Sequence, residues 1–259
     1  MALLLTDCIE QIGTITLNNP ERRNCLSNAL LTELVEALAE FERRRVRAVV
    51  IRAASGSKVW SAGFNVRELP DPGREPLSYS DPLERALRAV ERFPAPVIAM
   101  IEGSVWGGAC DLVVTCDLAI GAPCASFAIT PAKLGLPYNF SGILHFLNVV
   151  GMRIAREMFF TAQPIGAERA LQIGILNHLA PIDELESFTY SMARQIAENS
   201  PLAITVIKEQ LRILGISNPM GPEAFERIEG LRREAYASSD YREGKAAFLE
   251  KRKPRFRGE

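Results

Sequence analysis

No stretch of the 259-residue chain approaches the ~20 consecutive apolar residues that a membrane-spanning helix needs. The amino terminus, Met1-Ala-Leu-Leu-Leu-Thr-Asp7, has no basic segment leading into a long apolar one, so it does not read as a secretion signal. A cytoplasmic protein is expected. Charge of one sign is missing too: 30 Lys and Arg stand against 31 Asp and Glu, a net charge of -1. Such a balance gives no broad field to attract a nucleic acid. Cysteine is sparse and odd in number, with five residues (Cys8, Cys25, Cys110, Cys116 and Cys124) and no Cys-x-x-Cys spacing. Neither a disulfide framework nor a zinc site follows from that pattern. Only two histidines occur. His145 and His178 lie far apart, without a carboxylate or thiol at ligand spacing, and no metal site is expected. His145 sits among Leu144, Phe146 and Leu147 and reads as a packed residue, which argues against Ser-His-Asp chemistry. Internal repeats and low-complexity segments are lacking as well.

What the chain has is a core. It is 47% hydrophobic, too apolar for a disordered protein. Leu3 to Leu17 alternates and is rich in β-branched residues, which predicts two strands with a turn near Gln11-Ile12-Gly13. Ser27 caps a helix carrying Leu30, Leu31, Leu34, Val35, Leu38 and Phe41. Arg43-Arg44-Arg45 closes it, and Val46 to Ile51 is the next strand. Ala53 to Pro76 is a long Ser-, Gly- and Pro-containing loop centred on Ser61-Ala62-Gly63-Phe64-Asn65, a length that suggests function. A helix over Asp81–Phe93, a strand from Val97, a helix near Ala109–Thr115 and strands at Leu118–Ile120 and Ser126–Ile129 follow. Beyond the loop Thr130–Asn139 the pattern turns helical: Gly142–Val149, Met152–Phe160, Gly166–Ile173, Ile182–Glu198, Pro201–Leu214, Pro222–Ala237 and Ser239–Lys251. The expected class is α/β, with helical crossovers between strands and a helical C-terminal region.

The run Val97–Gly121 stands at the centre of this order. An apolar strand leads to Gly107-Gly108, then to a buried helix, then to another strand. That geometry points free backbone N–H groups out of a helix start. Such groups suit an oxygen that becomes negative during a reaction. The glycine pair equally suits close packing of helix on strand, and this stretch alone does not choose between the two.

Three segments taken together bear on the choice. Ser61-Ala62-Gly63-Phe64-Asn65-Val66, Glu102-Gly103-x-x-x-Gly107-Gly108-Ala109-x-Asp111-Leu112 and Asp117-Leu118-Ala119-Ile120 resemble, in order and spacing, the crotonase (enoyl-CoA hydratase/isomerase) superfamily. Ala170-Leu-Gln-Ile-Gly174, Pro201-Leu-Ala203-Ile and Phe248-Leu-Glu-Lys251-Arg252-Lys-Pro254 extend the resemblance over nearly the whole chain. Within the superfamily the chain is most similar to the methylmalonyl-CoA decarboxylase branch. Glu102-Gly-Ser-Val-Trp-Gly-Gly-Ala109 and Thr130-Pro-x-x-Leu-Gly-x-Pro-Tyr138-Asn139 carry that similarity.

The resemblance implies a spiral ββα core over residues 1–195, a helical trimerisation region over 196–259, and a homotrimer or dimer of trimers. It implies an acyl-CoA thioester as substrate and no cofactor beyond the CoA moiety. Two backbone donors, Phe64 and Gly108, would form an oxyanion hole. The decarboxylase pattern has His where Phe64 stands, but a main-chain donor does not depend on its side chain. Hydratases use two Glu residues; by position these fall at Asp111 and at Pro131, which has no acid or base to offer. Asp111 reads as a residue that caps or pairs near the helix start. Tyr138 and Thr130 match the polar contacts to a substrate carboxylate. For CoA, the resemblance places the adenine against the backbone of Ala62 and Val66 and sets Arg22 or Arg23 and Lys251 toward phosphates. It also brings Phe248 over the nucleotide from a neighbouring subunit. Trp60 and Trp106 are read as packing residues. The expected reaction is decarboxylation of methylmalonyl-CoA or a near malonyl-type thioester; hydration or isomerisation of another acyl-CoA, and acyl-CoA binding without turnover, are the alternatives.

Overall fold

A computed structural model describes residues 2–71, 77–216 and 220–258; the end of the long loop, 72–76, lies outside them. Strands β1 (Leu4–Ile9) and β2 (Ile12–Leu17) pair antiparallel, with Ile9 opposite Ile12. Their turn is Glu10-Gln11, both at positive φ (51° and 63°), the mirror-image form whose twist suits a hairpin. The turn therefore lies just before the position expected, because Gly13, which suggested it, serves packing instead. A Cβ there would stand 2.6 Å from the Phe41 ring. Helix α1 (Asn28–Arg43) starts at Ser27, whose Oγ accepts the Leu30 amide at 3.2 Å. It buries Leu30, Leu31, Leu34, Leu38 and Phe41.

From here the chain repeats one move. Strands β3 (Ala48–Ala53) and β4 (Val59–Ser61) lead to α2 (Pro82–Arg92). Strands β5 (Val97–Ile101) and β6 (Ser104–Trp106) lead to α3 (Gly108–Thr115). Strands β7 (Leu118–Gly121) and β8 (Ser126–Ala128) lead through a 3-10 turn to α4 (Phe140–Thr161). Two short strands complete the sheets, β9 (Ile165–Gly166) and β10 (His178–Leu179). The first strand of each pair enters a six-stranded sheet, ordered β1-β2-β3-β5-β7-β10; the second enters a four-stranded one, ordered β4-β6-β8-β9. The result is the expected α/β spiral of ββα turns.

The large sheet is apolar on both faces. All of β5 is buried, as befits a parallel strand covered on each side. Val49 and Ile51 face the cluster built with α1, α2 and α3. Val50 and Ile98 face the other way, onto Leu185 and Ala193 of α6 (Leu185–Glu198). Cys110 and Cys116 are buried in the first cluster and act as small apolar side chains.

Helix α4 breaks at Gly151 (φ 71°, ψ 170°), between the two helices expected there. Helices α5 (Ala167–Gln172), α7 (Pro201–Ile216), α8 (Pro222–Ala237) and α9 (Ser239–Leu249) fill out the C-terminal part. Lys208 pins α7 to the spiral, donating to Asp117 Oδ2 at 2.6 Å and to the carbonyls of Val90 and Ala95. Helix α9 folds back over its own chain. The Tyr241 hydroxyl donates to the Pro70 carbonyl at 2.9 Å and Lys245 to the Leu69 carbonyl at 2.8 Å. Gly244 makes this approach possible: a Cβ there would stand 2.7 Å from Leu134 Cα.

Candidate active site

Strands β4, β6 and β8 run parallel. Just beyond their carboxyl ends come Phe64, Gly107-Gly108 and Thr130-Pro131. In open parallel sheets that edge is where a ligand finds a crevice. Here the three strand ends open into one cavity of about 660 Å³.

The backbone at this edge is built around two glycines. Gly107 takes φ 51° and ψ −122°, a conformation that glycine adopts without a steric penalty. Its own N–H is used, donating to the Ala128 carbonyl at 2.8 Å. The following amide, at the first position of α3, is left facing outward. Gly63, at φ 82°, lets the second loop close on the first: a Cβ there would stand 3.3 Å from the Gly108 nitrogen. On either side of Phe64 the loop is tied to Leu26. The Leu26 amide donates to the Gly63 carbonyl at 2.8 Å and the Asn65 amide to the Leu26 carbonyl at 3.1 Å. The Phe64 amide lies between these bonds. Among the described residues neither it nor the Gly108 amide donates a hydrogen bond. The two are near neighbours, since a Cβ on Gly108 would stand 3.6 Å from the Phe64 nitrogen. Two unpaired donors beside a cavity are able to seat an anionic oxygen.

Tyr138 lines the same cavity. It is 7% exposed, and its hydroxyl oxygen, itself shielded, makes no hydrogen bond of good geometry among the described residues. Burial first, then the negative charge of Asp111 and a weak hydrogen bond toward it, push its pKa well above the ordinary value of 10.0. The phenol therefore stays protonated at neutral pH and has its O–H to donate. Its ring stands edge-on against Phe146 and Phe159, with centroids 6.2 and 5.1 Å away. Gly142 makes the seat, because a Cβ there would come 2.6 Å from Tyr138 Cδ1. The chain just after Tyr138 is fixed by Asn139, which donates to Glu84 Oε1 at 2.6 Å, and by Ser141, which donates to Glu84 Oε2 at 2.8 Å. Burial raises the Glu84 pKa, against the hydrogen bond from Ser141. Behind Tyr138, Asp111 is buried, and its Oδ1 lies 2.7 Å from His145 Nδ1. This carboxylate pairs rather than caps; the start of α3 has no side-chain cap.

The cavity brings together Phe64, Gly108, Thr130 and Tyr138, and with them Arg23, Ala62, Val66 and Phe248. Arg22 and Lys251 are not among its lining residues, whereas Arg252 and Lys133 are. The turn that ends α9 accounts for the exchange. Lys251 sits at φ 57°, and Arg252 N–H reaches back to the Ala247 carbonyl at 3.0 Å, the six-to-one closure of a Schellman cap. Phe248 lines the cavity of its own chain. Trp106 lines it as well, its Nε1 donating to Ser104 Oγ at 2.9 Å, while Trp60 is wholly buried and donates to the Met100 carbonyl at 2.9 Å. Leu83 and Leu136 supply an apolar wall that the sequence had not singled out. Pro131 lines the site, and no carboxylate side chain does among the described residues.

Residues 8–259 match the family model described as enoyl-CoA hydratase/isomerase. The chain belongs to this family. Among enoyl-CoA hydratase/isomerase relatives, it is 49% identical over 250 residues to methylmalonyl-CoA decarboxylase of Escherichia coli (strain K12), covering 96% of each chain. It superimposes with a TM-score of 0.98 on methylmalonyl-CoA decarboxylase in complex with 2-nitronate-propionyl-CoA, at 48% identity and with 100% and 99% of the two chains covered. A second structure of that enzyme, complexed with 2S-carboxypropyl-CoA, gives a TM-score of 0.98 at 47% identity over the same shares.

Proposed function

We propose that the protein decarboxylates methylmalonyl-CoA, or a closely related malonyl-type thioester, to propionyl-CoA and CO2. One observation carries this reading. The cavity offers two unpaired amides, a protonated phenol and the cations Arg23 and Lys133, beside an Arg252 already paired with Glu243 and Glu250, but no carboxylate among its described lining residues. Such a wall accepts a substrate that is itself a carboxylate and supplies no pair of acids to handle water across a double bond.

The chemistry asks for little more. The thioester oxygen sits on the Phe64 and Gly108 amides. The Tyr138 and Thr130 hydroxyls take the carboxylate and hold it out of the thioester plane. The carbon–carbon bond then breaks, its electron pair passes into the carbonyl, CO2 departs, and the two amides hold the enolate until carbon is protonated. These donors strengthen as charge grows on the oxygen, so they favour the transition state over the ground state. Phe64 contributes through its main chain. The reading needs no metal and no cofactor beyond the CoA moiety. In it Arg23 and Arg252 meet phosphates, Ala62 and Val66 meet the adenine, and Phe248 covers the nucleotide. The likeness to a decarboxylase solved with carboxypropyl-CoA and nitronate-propionyl-CoA supports the substrate class.

A homotrimer or dimer of trimers is part of the proposal. Helix α7 buries no residue against its own chain and exposes Leu202, Leu211 and Leu214. No helix among the described residues is long and apolar enough to cross a membrane, and we place the protein in the cytoplasm. The deciding experiment incubates the purified protein with methylmalonyl-CoA and follows CO2 release together with propionyl-CoA. Turnover of both is expected. Tight CoA-ester binding without CO2 release would overturn the reading.

A further inference from the structure

We propose that His145 is a positioning residue for this reaction: by pairing with Asp111 behind Tyr138, it competes with the phenol for that carboxylate and so lets the Tyr138 hydroxyl turn to donate to the substrate carboxylate. The inference rests on the decarboxylase reading above. Its basis is a buried arrangement that the two amides do not explain. Asp111 is 1% exposed and stands next to a phenol that makes no hydrogen bond of good geometry among the described residues. A bare carboxylate there would draw the phenolic O–H toward itself and away from the cavity. It would also repel a carboxylated acyl group. An unpaired buried charge is costly in its own right. His145 removes all three difficulties with one contact, Nδ1 to Asp111 Oδ1 at 2.7 Å.

The acids around the imidazole favour its cationic form. Asp111 and Thr115 face it from α3, with Thr115 Oγ1 3.3 Å from Nδ1. From α2, Glu91 lies 3.7 Å from Nε2, and Glu84 acts from farther off. Two arginines temper these acids: Arg88 stands 3.9 Å from Glu84, and Arg212 of α7 interacts with Glu91. Burial pulls the His145 pKa down, but the hydrogen bond to Asp111 and the nearby carboxylates outweigh it, and the net shift is upward from 6.5. The imidazolium is therefore present on the acid side of that raised value and is lost as pH climbs through it. Decarboxylation should fall along the same limb.

Reciprocity gives a direct test. If the His145 cation favours a carboxylate in the cavity, that carboxylate must in turn raise the His145 pKa. The chain has only two histidines, so labelled imidazole resonances can be assigned with a His178→Gln control and titrated by NMR. The complex with 2S-carboxypropyl-CoA is expected to titrate higher than the free protein. The complex with propionyl-CoA, which lacks the carboxylate, is expected to titrate as the free protein does. Equal His145 titration in the two complexes would overturn the proposal, and this arm uses the protein with its site intact. His145→Gln supplies the kinetic arm. Its turnover of methylmalonyl-CoA should fall about tenfold, as expected for one lost charged hydrogen bond. The alkaline limb should disappear, and propionyl-CoA binding should not change. Retention of the limb in this variant would also refute the role. Absence of decarboxylation by the unaltered protein would instead overturn the reading of the site as a whole.

Discussion

Gly108→Ala separates the two uses to which a glycine at a helix start can be put, packing and catalysis. The residue opens α3 and is not among the positive-φ glycines, so alanine fits the backbone. Replacing Gly by Ala inside a helix gains up to about 1 kcal/mol. Against this stands one tight contact, since the new methyl would lie 3.1 Å from Leu83 Cδ2. That neighbour is the end of a flexible side chain and yields by a few tenths of an ångström. The two effects nearly cancel, and the melting temperature should change by no more than a few degrees. Activity should respond quite differently. The same methyl would stand 3.6 Å from the Phe64 nitrogen and 3.5 Å from Phe64 Cβ, in the wedge between the two donors. An oxyanion needs each donor at roughly 2.7–3.1 Å. Displacing it from one amide lowers turnover by about 10²- to 10³-fold. The assay is kcat for CO2 release from methylmalonyl-CoA beside a thermal melt. Phe64→Ala is the companion variant: it keeps the main-chain donor and should stay within about tenfold of the parent, the scale of one modest contact. A folded Gly108→Ala protein with undiminished kcat would remove this amide from the mechanism.

Tyr138→Phe deletes a hydroxyl that makes no hydrogen bond of good geometry among the described residues, so the fold should tolerate it. Turnover should drop by about 10- to 100-fold, the range for a hydrogen bond to a charged group, while CoA affinity holds in a binding titration. Gly142→Ala should act on the same step from behind. Its Cβ would overlap the Tyr138 ring, coming 2.6 Å from Cδ1 and nearer still to Cε1; overpacking of this kind costs about 1–3 kcal/mol, and a displaced phenol should lower kcat with it. In CoA binding followed by calorimetry, Arg252→Ala should weaken affinity more than Lys251→Ala, because only Arg252 lines the cavity.

Much of the framework was legible because it is written in local terms. Ser27 before an apolar helical stripe gave α1 its start, and Gly151 divided α4 where expected. The glycine pair before α3 was visible, but its meaning was not: close packing and an oxyanion seat call for the same residues. Only the second loop, brought up by Gly63 and held at Leu26, turns Gly108 into one of two donors. Most of the small sheet was hidden for another reason. Its β8 was expected at Ser126–Ile129, but β4, β6 and β9 are only two or three residues long, too short to show alternation. His145 and Asp111 lie 34 residues apart on different helices, and a histidine among Leu144, Phe146 and Leu147 gave no sign of a buried acid. Lys251 and Arg252 are neighbours in a basic tail, and the left-handed residue that ends α9 decides which of them reaches the cavity. A helical C-terminus carries no mark of the body it packs on; the contacts of Tyr241 with Pro70 and of Lys245 with Leu69 lay α9 against its own chain and bring Phe248 to that chain's cavity.

The same three strand ends can serve different reactions, and the side chains they present decide which. Adding water to an enoyl thioester requires a base for the water and an acid for carbon, and both must touch the substrate. In this chain one of the two expected positions is Pro131, which has no proton to move. The other is Asp111, which lies behind the phenol, held by His145, and is not among the lining residues. A wall without acids has a second effect, since a malonyl-type carboxylate then meets hydroxyls rather than like charge. The unfitness for one reaction and the fitness for the other thus follow from the same feature of the cavity wall. Crotonyl-CoA should accordingly bind through its CoA portion yet show no hydration in a spectrophotometric assay that follows its double bond. Hydration at a rate comparable to decarboxylation would mean that Asp111 leaves His145 and enters the cavity during turnover, and the division of labour drawn here would fail.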